Sequence, residues 1–146
     1  MTTPSPDLTH RLTLKGDKKT PTTRFIDTNT VSIAEQLTLM EHEMLQLIKP
    51  SEFLKQSWSK SDKESKAPNI MVYIIWFNKV SRWVSTEIVK GNNAQERSVI
   101  IGKFIEIGMK LKELRNFNGV MEIISSLHSS SISRLKQSWA VSVTSR

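Results

Sequence analysis

The sequence predicts an all-α domain. Apolar residues recur at three-and-four spacing in each long segment, no stretch alternates with the two-residue period of a strand, and prolines, glycines and capping residues stand between the segments. A chain of 146 residues has room for one domain, and 38% hydrophobic with 24% charged residues gives it the composition of a globular protein that can bury a core.

Residues 1–24 hold three of the five prolines, many threonines and little apolar periodicity, so they read as a flexible arm that cannot offset its own ordering entropy. Order is expected from Phe25. Ser32-Ile33-Ala34-Glu35 has the form of a capping box ahead of a helix to about Ile48, with Ile33, Leu37, Met40, Met44, Leu47 and Ile48 as its buried stripe. Pro50 restarts the chain into a short helix, Ser51 to Trp58, because proline is accepted in a first turn but not inside a helix. A polar loop, Ser59 to Ala67, follows. The longest apolar helix is expected at about Asn69 to Lys90, central to the fold, with Ile70, Ile74, Phe77, Val80, Val84 and Ile88 on one face and Tyr73, Trp76 and Trp83 widening it. Gly91 ends it, and Asn93 with Glu96 caps the next helix, about Ala94 to Leu114. Gly102 and Gly108 inside that helix each cost about 1 kcal/mol relative to alanine, which close approach of another backbone would explain.

The run from Asn116 to Trp139, NFNGVMEIISSLHSSSISRLKQSW, opens with a turn-prone Asn-Phe-Asn-Gly, continues as an apolar-faced helix, breaks at three serines and resumes as a second short helix. Val120, Ile123, Ile124 and Leu127 mark the first buried face, and Ile132, Leu135 and Trp139 the second. Arg134 lies between apolar positions, so its guanidinium either reaches solvent along its stem or pairs with an acid. Pairing is expected, and Glu41, one position off the first helix's stripe, is the candidate partner. Trp58, Trp76, Trp83 and Trp139 sit on or beside apolar stripes and read as core, not as a base-stacking platform. Met40, Met44 and Met121 read as core filling.

Reaction chemistry is not legible. His42 lies between Glu41 and Glu43, which point about 100° away from it around a helix and cannot grip one ion with it. His128 has serines around it but no acid to orient it. No metal or other cofactor is expected, and neither Gly16 nor Gly102-Lys103 has the second glycine and Ser/Thr of a phosphate loop, so no direct nucleotide binding is expected either. The chain lacks cysteine, which excludes disulfides and thiolate zinc sites and permits a reducing interior. The first residues lack the apolar core of a signal peptide, and no apolar run approaches the ~20 residues that cross a bilayer, so the cytoplasm is the expected location. The net charge of +7 is spread along the chain, with Lys60, Lys63 and Lys66 sharing a loop with Asp62 and Glu64. It reads as a solvated basic surface, not a nucleic-acid site.

The NFN at 116–118, the S-x-x-I-x-R-L ending at Leu135 and the terminal Trp139 resemble the central motif of the catalytic domain of Ras-type guanine-nucleotide exchange factors. Two earlier stretches agree in the same order: IAEQLTLMEHEML from Ile33 to Leu45 and FNKVSRWVSTEI from Phe77 to Ile88. The resemblance covers about Phe25 to Trp139. It implies an orthogonal all-helical domain at 25–140, followed by a short tail at 141–146, and a function without bond chemistry of its own: promoting GDP release from a Ras-family small GTPase by binding the nucleotide-free form more tightly. In the family, core helices grip the second switch region of the GTPase, while a helical hairpin later in sequence forces the first switch open. By resemblance the GTPase-binding residues here are Trp58, Lys60, Gly108, Lys112, Arg115 and Asn116, with Glu41, Arg134, Trp83, Trp139 and Asn118 structural. The family often has asparagine where Arg115 stands. After Trp139 only AVSVTSR follows, so the domain is expected to be truncated before the catalytic hairpin, and the chain alone to leave GDP release unaccelerated. A competing GTPase-binding fragment without exchange activity is the alternative expectation. The basic surface also suits peripheral approach to the anionic inner face of the plasma membrane, where Ras-family proteins are held.

Overall fold

The computed structural model describes residues 24–144, with side chains described as far as 141. The described residues form helices and turns, with no strand among them. A 3-10 turn, Phe25–Asp27, leads into α1 (Thr30–Gln46); a 3-10 segment, Pro50–Ser59, precedes the short α2 (Lys63–Lys66); then come α3 (Pro68–Val89), α4 (Ala94–Glu113), α5 (Phe117–Leu127), α6 (Ser130–Ser133) and α7 (Lys136–Thr144). The expected arm lies almost wholly outside the described residues. α7 continues to Thr144, into what the sequence reads as a tail.

Local chemistry sets most boundaries. Asn29, not Ser32, caps α1, its side chain accepting from Ser32 N at 3.0 Å, so the helix starts three residues before its expected beginning. Asn93 caps α4 by accepting from Glu96 N at 2.8 Å, while the Glu96 carboxylate turns back to Asn92 N at 2.9 Å. The 50–59 segment is not a continuous helix. Lys55 and Gln56 both adopt φ 54°, the left-handed region, and break it in the middle. The second half of the 116–139 run is likewise two short helices, α6 and α7, with Arg134 capping the first and the Trp139 indole Nε1 donating to Ile132 O at 3.0 Å to close the joint.

Side chains from five helices build one core: Ala34 and Leu37 of α1, Val80, Val84 and Ile88 of α3, Ile101, Phe104, Ile107 and Leu111 of α4, Ile123 and Leu127 of α5, and Ile132 of α6. Each large one among them stabilises the fold by roughly 1.5–3 kcal/mol through burial. α3 does not hold the centre alone, since α4 packs against α1, α3, α5 and α7. Trp83 and Phe104 meet edge to face at 5.2 Å, and Phe25 stacks on Phe104 at 4.5 Å. Lys103, buried, holds the 3-10 turn there: its Nζ donates to the carbonyls of Ile26 (2.8 Å) and Thr28 and lies 5.1 Å from the Phe25 ring centroid.

Helix directions follow from the long-range bonds. Lys103 meets residues 26 and 28 while Asn116 meets Thr38, so α1 and α4 run the same way. Ser81 bonds Glu122 O at 3.1 Å and Ser85 bonds Ser126 at 2.7 Å, so α3 and α5 run the same way. The C-terminal end of α4 and the N-terminal ends of α3 and α5 therefore share one end of the domain.

Four sequence expectations are corrected. Glu41 and Arg134 do not pair. Arg134 is exposed at the end of α6, whereas Glu41 is buried and accepts from the Trp76 indole at 3.3 Å; helix α6 ends where a long cation can reach water, which costs less than burying it. Met121 is 51% exposed instead of filling the core, because α5 buries the face through Glu122, Ile123, Ser126 and Leu127. Ile74, Leu47 and Ile124 also lie at the exposed edges of their stripes. No backbone approaches Gly102 or Gly108: a Cβ at the first would meet nothing within 4 Å, and at the second only the Ile123 side chain at 3.7 Å. The close backbone approach is at Gly91, where a Cβ would stand 3.0 Å from Arg97 N, while at Gly119 it would meet the side chains of Asn116 at 3.0 Å and Leu111 at 3.1 Å.

Candidate functional site

The shared end carries the residues of interest in two groups. One is the α4–α5 turn. Arg115 has φ 59°, its N–H donates to Lys112 O at 3.0 Å, and the Asn116 N–H donates to Leu111 O at 2.8 Å. This pair of bonds is the Schellman arrangement that closes a helix through a left-handed residue, a position that favours glycine or asparagine. Arg115 is exposed there, with Lys112 exposed one turn back. Asn116 points inward: its Oδ1 accepts from Gly119 N at 2.9 Å, capping α5, and its Nδ2 donates to Thr38 Oγ1 at 3.2 Å. Asn118 is also spent internally, donating to Glu122 Oε1 at 3.0 Å. Gly108 is half-buried against Ile123.

The second group is the 50–59 segment, pinned to the N-terminus of α3 by Glu52. Its Oε2 accepts from the backbone N–H of Asn69 (2.9 Å) and Ile70 (3.1 Å), and its Oε1 from Asn69 Nδ2 (2.7 Å) and Lys49 N (3.1 Å). Burial alone would raise the Glu52 pKa, but the four donors together outweigh it and hold the carboxyl below its ordinary value. A carboxylate at a helix N-terminus also complements the helix dipole. Trp58 is half-buried and meets Phe53 edge to face at 6.1 Å; Lys60 follows, exposed.

Both groups expose large apolar side chains. Phe53, Leu54 and Phe117 are 54%, 65% and 62% exposed, Leu114 is exposed beside them in chain order, and Lys55, Lys60, Lys112 and Arg115 are exposed among them. Large apolar side chains flanked by cations are the composition of a protein-docking surface. Among the described residues no hydrogen bond or ion pair links one group to the other; the shared helix ends bring them to the same side. A cavity lined by Phe25, Trp83, Glu87, Lys90 and Gly91 lies at the other end, near the α3–α4 turn. His42 and His128 are elsewhere and exposed, and among the described residues no three His, Asp or Glu side chains form a metal-sized cluster.

Sequence reasoning missed the buried polar residues Glu52, Lys103 and Glu122. Only Glu122 left a local trace: it lies at helical spacing from Gly119 and Ser126, on the face that α5 buries.

Residues 32–145 match the RasGEF domain family. The chain is 46% identical over 123 residues to Ras guanine nucleotide exchange factor P of Dictyostelium discoideum, an alignment covering 84% of this chain and 8% of that protein. Ras guanine nucleotide exchange factor Y of the same organism is 48% identical over 109 residues, 75% of this chain and 7% of the relative. Protein son of sevenless of Drosophila melanogaster is 36% identical over 131 residues, 90% of this chain and 8% of the relative. The chain thus spans less than a tenth of the length of these relatives. With its match across all the helices and an all-helical fold, the chain belongs to the RasGEF family.

Proposed function

We propose that the chain serves as a guanine-nucleotide exchange factor for a Ras-family small GTPase, docking it through the end formed by the 50–59 segment and the α4–α5 turn. The observation that carries this reading is the exposed apolar and cationic surface at that end, in a chain whose named relatives are Ras exchange factors. The work is done by affinity and not by bond chemistry: a protein that binds nucleotide-free GTPase more tightly than the GDP-bound form lowers GDP affinity by the same factor. Arg115 and Lys112 supply positive charge, Phe53, Leu54 and Phe117 supply area, and Asn116 acts from inside by fixing the turn. The basic chain also favours approach to anionic membrane surfaces that hold such a GTPase.

A second reading is binding without release, as a competing fragment. The docking end accounts for affinity, and only a preference for the nucleotide-free form accounts for exchange. Two measurements on the 146-residue chain separate them: titration against nucleotide-free Ras-family GTPase, and release of a fluorescent GDP analogue with and without equimolar chain. Saturable binding with unaccelerated release supports the second reading. Accelerated release supports the first outright. No binding to any Ras-family GTPase refutes both.

A further inference from the structure

Glu41 of α1 and Glu122 of α5 are 3% and 0% exposed. Each satisfies one oxygen with a neutral donor: Glu41 Oε1 accepts from Trp76 Nε1 at 3.3 Å, and Glu122 Oε1 from Asn118 Nδ2 at 3.0 Å. The other oxygen of each, Oε2, is buried with no donor. The two carboxyls lie within hydrogen-bonding reach of one another. Two ionised carboxylates in contact inside a core, with no cation between them, would repel strongly and leave both oxygens unsatisfied. One proton removes both costs, since it cancels a charge and makes one carboxyl a donor to the other.

We infer that Glu122 holds a proton at neutral pH and donates it to Glu41, and that this hydrogen bond ties α1 to α5 and so positions the turn carrying Arg115 and Asn116. The surroundings agree from each side. Burial, and then the Glu41 charge, push the Glu122 carboxyl up to about 9. From α3 the facing titratable group is Tyr73, whose hydroxyl is raised to about 12 by burial and by the negative charge of the same two glutamates. Asn118 is the one group acting the other way on Glu122, and neither α4 nor α6 adds a charge to this set.

A group whose pKa is raised on folding contributes stability that is complete below its unfolded value, 4.5, and is lost as pH rises toward about 9. The folded chain holds a proton in that window that the unfolded chain does not. Carbon-13 titration of the glutamate carboxyls in the intact chain reads the proton directly. One carboxyl should remain protonated at pH 7 and ionise well above it, and the Asn118 side-chain amide and Gly119 amide should shift with the same midpoint. Glu122→Gln keeps a neutral donor in place and should be folded at pH 7. The ratio of wild-type to E122Q unfolding constants in urea should then climb by up to about tenfold per pH unit between pH 5 and 8. Ionisation of every glutamate below pH 6 would overturn the proton on Glu122. Equal pH slopes in the two proteins, or an E122Q chain unfolded at pH 7, would overturn it as well, and static Asn118 and Gly119 signals would remove its role at the turn.

Discussion

Thr38 and Asn116 are 78 positions apart in the chain and joined by a hydrogen bond of 3.2 Å. The Thr38 hydroxyl donates to Ala34 O at 2.8 Å, while Asn116 caps α5 by accepting from Gly119 N. One side chain thus closes the start of α5 and fastens it to α1. The first Asn of the NFN motif, which the family resemblance places among the GTPase-binding residues, also holds the α4–α5 turn to α1.

Asn116→Ala should therefore destabilise the domain by about 1 kcal/mol for the cap alone, with more lost through Thr38. A double-mutant cycle with Thr38→Val, read by urea denaturation, should show a coupling of about 0.5 kcal/mol or more. Strict additivity would mean that the bond contributes nothing.

Arg115 holds a conformation that costs an ordinary residue about 1–2 kcal/mol. Arg115→Gly should raise stability by about 1 kcal/mol. If the exposed guanidinium meets the GTPase, the same change weakens docking. A variant more stable in thermal unfolding yet poorer in binding nucleotide-free GTPase would show that this cation is kept for its partner; unchanged binding would remove Arg115 from the docking surface.

Glu52 is a carboxylate that the fold needs ionised. Its pKa is lowered on folding, so the stability it provides is present above the unfolded value of 4.5 and is lost as pH falls through the folded value. Glu52→Gln should cost about 1–3 kcal/mol at pH 7, because an amide keeps one accepting oxygen and sets an NH2 donor against N–H donors, and the gap from wild type should narrow below pH 4.5. A gap constant down to pH 3 would locate the effect in packing instead of charge.

The helices from Ile70 to Leu127 were legible because their apolar residues repeat at the period of the structure they form, and the caps at Asn93 and the Pro at 50 and 68 mark ends by local sterics. The Schellman turn was half legible. The departure at Arg115 was visible, but its left-handed backbone was not, since an arginine gives no signal of positive φ. Glu52 was illegible because three of its four donors belong to Asn69 and Ile70, 17 and 18 residues away.

By itself the sequence determined the all-helical class, the order of the main helices and the RasGEF family, because each depends on spacing within a few residues or on motif order along the chain. Tertiary structure alone decided which polar groups meet. It left Arg134 in water, set Glu41 against Glu122, and turned Asn116 inward. The reason is physical: the cost of a buried charge or an unmade hydrogen bond depends on what stands across the interface, and residues far apart in the chain supply that.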